Sequence, residues 1–172
     1  LVFPTDSDGR AVRDFSSLGL TGKMRVAKTE LKVGTLKPKL PVVVLNDGRL
    51  LPETFEGWQA TSRDFDNFTL IGGRLSGVKS RNSSNVEDLA ISGAGGPTGK
   101  RSDQFYYAGV DYSLRPNLLL QYYYGNLENF YQQHFVGLVH TLALPVGSLK
   151  SDLRFFDSSS DGRNGSEAGR AE

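Results

Sequence analysis

The sequence predicts an all-β protein whose antiparallel strands form part of a transmembrane β-barrel. Apolar and polar residues alternate with a period of two along most of the chain. Short and long connections alternate between these segments, and no segment shows a convincing helical period. The 172 residues suit a single domain covering 1–172.

Composition excludes several other classes of protein. The chain has no cysteine, which rules out disulfides, thiolate catalysis and Cys-ligated metals. The 20 basic and 19 acidic residues leave a net charge of +1, too balanced for a surface that coats nucleic acid. No apolar run approaches the roughly 20 residues of a spanning helix. We expect no metal and no cofactor.

Strand periodicity appears in separate segments of the chain. We predict eight strands, at residues 21–28, 31–37, 54–61, 68–77, 105–113, 118–125, 131–142 and 149–157. The pattern of 68–77 does not show which side chains share a face, so its Arg74 and the following Arg81 are only weak candidates for a functional role.

The connections between these segments alternate in length. Short turns are predicted at residues 28–30, 62–67, 114–117 and 145–148. Longer polar or Pro/Gly-rich segments fall at 37–53, 79–103 and 158–172, with a brief connection at 126–129. This alternation is expected where every second connection faces the periplasm and the others face outside. We therefore predict that 79–103 is a long extracellular loop.

The two faces of the predicted strands differ in character. Leu153 and Phe155 are predicted to face lipid. An aromatic girdle on the same face would consist of Tyr106, Tyr112, Tyr122, Tyr124 and Phe130. The opposite face carries a row of bases: Lys23, Arg25, Lys32, Lys150 and Arg154.

The alternation alone leaves two interpretations of the fold. One is the barrel wall, with its charged face lining a water-filled lumen. The other is a soluble β-sandwich with one polar face in water, used as a surface-binding or adhesion module.

Several segments resemble the OprD family of substrate-specific outer-membrane porins. The most specific are residues 34–41 and 46–57, which include Arg49-Leu50-Leu51-Pro52. Further matches are Lys23-Met24-Arg25 ahead of Lys28-Thr29, and Leu127-Glu128 followed by Tyr131 and Gln133. The resemblance runs from about Lys23 to Asp157 and is closer to the branch associated with organic and aromatic carboxylates.

The resemblance implies an 18-stranded single-chain barrel in the bacterial outer membrane. Because about eight strands are present, we expect an interior fragment of that barrel. It also implies a passive channel for small carboxylate solutes, with aromatic or other organic acids, or amino acids, as the candidate substrates. The expected partners are outer-membrane lipid and lipopolysaccharide, and a homo-oligomer is a further expectation.

Residues 37–53 resemble the third loop of the family, which folds into the pore and constricts it. Arg49 could bind a carboxylate through two parallel hydrogen bonds, and the resemblance implies a constriction role for Arg49, Asp47 and Lys39. The alternative is a simple turn at residues 46–48 with Arg49 solvated.

The row of bases also has two interpretations. It could be a basic track that passes anions between weak successive sites. It could equally be an ordinary solvated interior whose charges are neutralised by Asp111 and Asp152.

We predict that the protein is not an enzyme. His134 and His140 are the only histidines, and both occupy alternate positions whose side chains are predicted to face the apolar side of the strand. A general base must reach a nucleophile in the aqueous site. We expect both rings to be interfacial instead.

Overall fold

The computed structural model describes residues 18–45, 52–80, 85–89 and 101–161. Ten strands lie in these ranges: β1 (Thr21–Val26), β2 (Thr29–Leu36), β3 (Lys39–Leu40), β4 (Val43–Val44), β5 (Thr54–Ser62), β6 (Phe68–Lys79), β7 (Phe105–Arg115), β8 (Leu118–Leu127), β9 (Tyr131–Leu144) and β10 (Gly147–Ser160). All eight predicted strands are confirmed. The described part of the chain contains no helix long and apolar enough to cross a membrane.

Eight of the strands form one antiparallel sheet in the order β1-β2-β5-β6-β7-β8-β9-β10. Apart from the inserted β3–β4 pair, each strand therefore pairs with its neighbour in sequence. This meander is the topology of a barrel wall, because consecutive antiparallel strands need only turns and loops at the two ends. The all-β, antiparallel architecture predicted from the alternation is confirmed.

The register separates the two faces of the sheet. Tyr107, Tyr123 and Phe135 are buried and define what we call the inner face. Tyr106 and Val136 have the opposite parity and are 42% and 50% exposed, and they belong to the outer face. Since directly paired residues share a face, the remaining strands can be assigned from their pairing.

A small hairpin formed by β3 and β4 covers the inner face. Leu40, Val42 and Leu45 are buried, and a Cβ placed on Gly125 of β8 would lie 3.1 Å from the Cβ of Val42. The buried cluster lies where this hairpin meets the wall and comprises Leu36, Leu40, Val42, Leu45, Phe55, Leu75, Leu89, Phe105, Tyr107, Tyr123, Leu127, Phe130 and Phe135. The sequence pattern did not predict this hairpin.

The long connection between β6 and β7 also contributes to this cluster. Isolated bridges join Val78 to Glu87 and Leu89 to Ser102, and the Leu89 side chain is buried. The described parts of residues 79–103 therefore lie against the same end of the wall as the β3–β4 hairpin.

The faces of β6, which the sequence pattern left open, follow from its pairing. Arg74 pairs with Trp58 on one side and with Tyr106 on the other, and so lies on the outer face. Glu56 pairs with Gly77 but Gly57 pairs with Leu75, so Ser76 is an extra residue and marks a bulge in β6 opposite Gly57. Gly57 has φ +157°, and a Cβ there would collide with the backbone of Arg74 and Leu75. Arg74, a weak candidate from the sequence, therefore does not join the bases of the inner face, and Arg81 lies outside the described residues.

Phe130 was predicted to belong to the outward aromatic girdle, and this prediction was wrong. It is fully buried in the cluster beneath the hairpin. Asn129 has φ +67° in the turn after β8, which reverses the chain and ends the alternation on which the prediction depended. Tyr106, Tyr112, Tyr122 and Tyr124 do share the outer face.

Candidate pore-lining face

The first group of predicted bases lies on β1 and β2. Lys23 pairs directly with Lys32, and this row continues through Gln59 and Gly73 to the buried Tyr107. Lys23, Arg25 and Lys32 are therefore all on the inner face, as the alternation predicted.

One acidic residue lies among these bases. Glu30 pairs with Arg25 across the strands, and the Nζ of Lys32 lies 3.0 Å from the Oε1 of Glu30. Three bases against one acid leave this part of the inner face positive.

The second group lies on β10. Arg154 pairs with Gly137 of β9, two residues from the inward Phe135, so Arg154 and its same-face neighbours Lys150 and Asp152 are also on the inner face. The guanidinium of Arg154 donates two hydrogen bonds to Asp152, at 3.0 Å from Nε to Oδ1 and 2.7 Å from Nη2 to Oδ2. The expected neutralisation by Asp152 therefore occurs for Arg154.

Between the two charged groups, hydrogen-bonded tyrosines line the inner face. The Tyr107 hydroxyl donates to Oε1 of Gln59 over 3.0 Å. Asp111 accepts bonds from the Tyr123 hydroxyl at 3.0 Å and from the Gln121 amide at 2.8 Å. Asp111 is thus satisfied by neutral donors and does not neutralise a base in the described structure. Sequence reasoning missed this polar row, although the odd parity of both tyrosines could have indicated it.

The predicted constriction residues are only partly described. Lys39 lies on β3 with an exposed side chain, while its neighbours Pro38 and Leu40 are buried. Asp47 and Arg49 lie outside the described residues. The structure does show that residues 38–45 pack onto the inner face of the wall, which places the start of the 37–53 segment on the same side as the bases.

Both histidines lie on the outer face and have polar or aromatic neighbours there. His134 Nδ1 lies 2.9 Å from the Tyr122 hydroxyl, and its ring also meets that of Tyr124. His140 Nε2 lies 3.4 Å from the Asn117 amide nitrogen. No group of three potential metal ligands was found among the described residues.

The whole chain, residues 1–172, matches the model of the outer membrane porin, OprD family. The chain belongs to the OprD family. The family and the observed sheet together confirm the barrel fold and the outer-membrane location, and decide against the soluble β-sandwich.

Named relatives agree with this assignment. The chain is 36% identical over 169 residues to the porin-like protein GalP of Pseudomonas putida, covering 98% of this chain and 40% of GalP. Porin D of Pseudomonas aeruginosa is 29% identical over 161 residues, covering 93% of this chain and 36% of Porin D. These relatives are porins and not enzymes, as the sequence predicted.

Solved structures show the same wall. The crystal structure of Pseudomonas aeruginosa OccK8 (OprE) is 57% identical with a TM-score of 0.92, over 99% of this chain and 43% of that one. The structure of Pseudomonas aeruginosa OpdK with vanillate is 34% identical with a TM-score of 0.88, over 94% of this chain and 42% of that one. The chain thus spans about two fifths of the proteins it matches. In a barrel of this family, the outer face meets lipid and the inner face meets the lumen.

Proposed function

We propose that the barrel containing this chain is a passive, selective channel for small carboxylate-bearing solutes. The observation that supports this function is the placement of all five predicted bases on the inner face. Bases that line a lumen with low-dielectric walls attract anions more strongly than the same charges in bulk water.

The bases are not equally available to a solute. Arg154 is held by Asp152, and Lys32 lies against Glu30. Within the described ranges, Lys23, Arg25 and Lys150 have no carboxylate at ion-pair distance. These three are the residues that we expect a passing carboxylate to meet.

Their spacing suits passage better than tight binding. Lys23 and Arg25 lie on β1 and Lys150 lies on β10, at opposite edges of the described sheet. Separate charges provide several weak contacts, and conduction requires that a solute leave each contact easily.

The segment 37–53 supplies the narrow part of the proposed channel. Its buried residues Leu40, Val42 and Leu45 anchor it against the wall, while Lys39 stays exposed. These apolar side chains would anchor the start of the segment and so hold its later, charged residues over the lumen. We propose that Asp47, Arg49 and Lys39 act there, with Arg49 binding the carboxylate.

Aromatic or other organic acids are the proposed solutes. The support is a relative crystallised with vanillate, an aromatic carboxylate, together with a relative described as BenF-like. Bases on the inner wall suit the carboxylate of such a solute, because a cationic donor and a carboxylate form strong charge-assisted hydrogen bonds.

The test is ion selectivity of the intact barrel in a planar bilayer under a salt gradient. The double variant Lys23→Gln with Arg25→Gln, and separately Lys150→Gln, should shift the reversal potential toward cations and shorten the current blockages caused by benzoate. Arg115→Gln removes one charge from the outer face and is the matched control, since Arg115 pairs with the outward Leu118. An unchanged reversal potential in both inner-face variants would contradict the proposal.

A further inference from the structure

An arginine lies on the outer face of the wall, between two aromatic side chains. Arg74 of β6 pairs with Trp58 of β5 and with Tyr106 of β7. Trp58 and Tyr106 are each 42% exposed, and the Arg74 guanidinium carbon lies 5.8 Å from the centre of the Tyr106 ring. A charge in the hydrocarbon region is costly, so an arginine on a surface that meets lipid requires an interaction that offsets this cost.

Arg74 marks the upper boundary of the apolar band. From the turn end of β6, the outward residues before it are Phe68, Leu70 and Gly72, and the exposed bulge residue Ser76 follows it. On the neighbouring strands, the polarity of the outward side chains changes in the same region. Outward apolar residues give way to polar ones at Gln104, Asn126, His134 and Asp157.

This boundary lies toward the end of the sheet that carries the long connections. In outer-membrane barrels the long loops are extracellular, so Arg74 lies at the level of the outer leaflet. Trp58 and Tyr106 beside it are the residue types that occupy the interface between hydrocarbon and headgroups.

The charge of Arg74 is not compensated by the described part of the chain. Its Nε is buried without a hydrogen-bond partner, and no carboxylate of those ranges forms an ion pair with it. Its guanidinium lies within cation–π distance of the Tyr106 ring, a contact that leaves the positive charge without a counterion. Tyr106 is itself held by a hydrogen bond from its hydroxyl to Gln104. The Arg74 charge therefore has no counterion in the described ranges, and the terminal guanidinium nitrogens, not the buried Nε, are the donors open to an external anion.

We propose that Arg74, flanked by Trp58 and Tyr106, binds a phosphate of lipopolysaccharide in the outer leaflet. Arginine recognises phosphate through two parallel hydrogen bonds, because its planar guanidinium is preorganised for that geometry. The two rings pack against the acyl region below the phosphate. A free phosphate ion would gain the charge contact alone, so the site is selective for a lipid that also covers the rings.

The experiment measures binding of lipid A to the intact barrel in detergent, by native mass spectrometry of the purified protein. The probes are bisphosphorylated lipid A, the same lipid with its phosphates removed, and inorganic phosphate as a competitor. The variants are Arg74→Gln, Arg74→Lys and the control Arg115→Gln, which removes an arginine from the opposite end of the outer face. Heat-modifiable electrophoretic mobility shows whether each variant is folded.

We expect Arg74→Gln to weaken lipid A binding by about tenfold or more, the loss typical of a charge-assisted hydrogen bond. Arg74→Lys should retain part of the affinity, and Arg115→Gln should retain all of it. Removing the lipid phosphates should weaken binding to the native barrel as much as Arg74→Gln does. Equal binding of the native barrel and Arg74→Gln would overturn the proposal, as would an equal loss in Arg115→Gln. Competition by millimolar inorganic phosphate would also overturn it, because the site would then bind free phosphate.

Discussion

The ring of Tyr123 on β8 lies directly over Gly109 on β7. A Cβ placed on Gly109 would overlap Cδ1 and Cε1 of that ring. The ring covers the backbone of its cross-strand partner, and the hydroxyl beyond it reaches Asp111 on the same strand as Gly109. Tyr107 covers Gly73 in the same way. Glycines on the inner wall thus give the tyrosines room to lie flat, and the flat rings position the polar row.

Replacing Gly109 should therefore disturb both packing and the polar row. Gly109→Val is expected to destabilise the intact barrel by about 2 kcal/mol, because overpacking forces Tyr123 out of its position. Ala108→Val adds similar bulk to the adjacent residue on the outer face, where the side chain is exposed, and should cost little. Urea unfolding in lipid vesicles measures the difference. Equal costs for the two variants would contradict the packing role of Gly109.

A charge on the outer face of β10 should be more harmful than one on its inner face. Leu153 pairs with Leu138 on the outer face, whereas Asp152 lies beside Arg154 on the inner face. Leu153→Arg is expected to cost about 2–4 kcal/mol if the residue lies near the bilayer midplane. Asp152→Arg should cost less, because its side chain stays in water. The same unfolding assay tests this, and a similar loss in both variants would mean that the faces are assigned incorrectly.

The proposed role of Arg49 can be separated into charge and geometry. Arg49→Ala should reduce anion selectivity and shorten benzoate blockages in single-channel recordings. Arg49→Lys should restore the selectivity but not the blockage time, since lysine lacks the two-pronged hydrogen bond. If Arg49→Ala leaves both properties unchanged, this arginine is only a loop residue.

A carboxylate in a turn at the short-connection end should make stability depend on pH. Asp64 accepts hydrogen bonds from the Thr29 hydroxyl at 2.5 Å, the Lys28 backbone N–H at 2.9 Å and the Ser62 hydroxyl at 3.1 Å. These bonds, first of all that from Thr29, lower the pKa of Asp64 below its ordinary value of 3.8.

The lowered pKa means that folding favours the charged form of Asp64. Its contribution to stability is complete above pH 3.8 and is lost as the pH falls through the lower folded-state pKa. Asp64→Asn should therefore be less stable than the native barrel at pH 7, and the difference should shrink in acid. Asp66→Asn in the same turn is the control. A pH-independent difference for Asp64→Asn would show that the carboxylate charge is not involved.

Much of the wall could be predicted because a strand's alternation is a local property. The five bases were assigned to one face correctly from parity alone, and the register confirms each of them. The alternation failed where local geometry interrupts it. The paired glycines at 72 and 73 carry no side chain to show a face, which left Arg74 unplaced. The turn at Asn129 ends the period-two alternation, so carrying that alternation on to Phe130 assigned its side chain to the wrong face.

The sequence by itself determined the eight strands, the two faces of the strands other than β6, and the family, because period-two patterning, connection lengths and loop motifs are all encoded locally. Only the tertiary structure decided which residues meet across strands. It brought the Tyr107 hydroxyl onto Gln59, the rings of Tyr123 and Tyr107 onto glycines, and the β3–β4 hairpin onto the inner wall. These contacts depend on strand register and on how a loop folds back. Both are set by packing between segments far apart in the chain, and no local pattern encodes them.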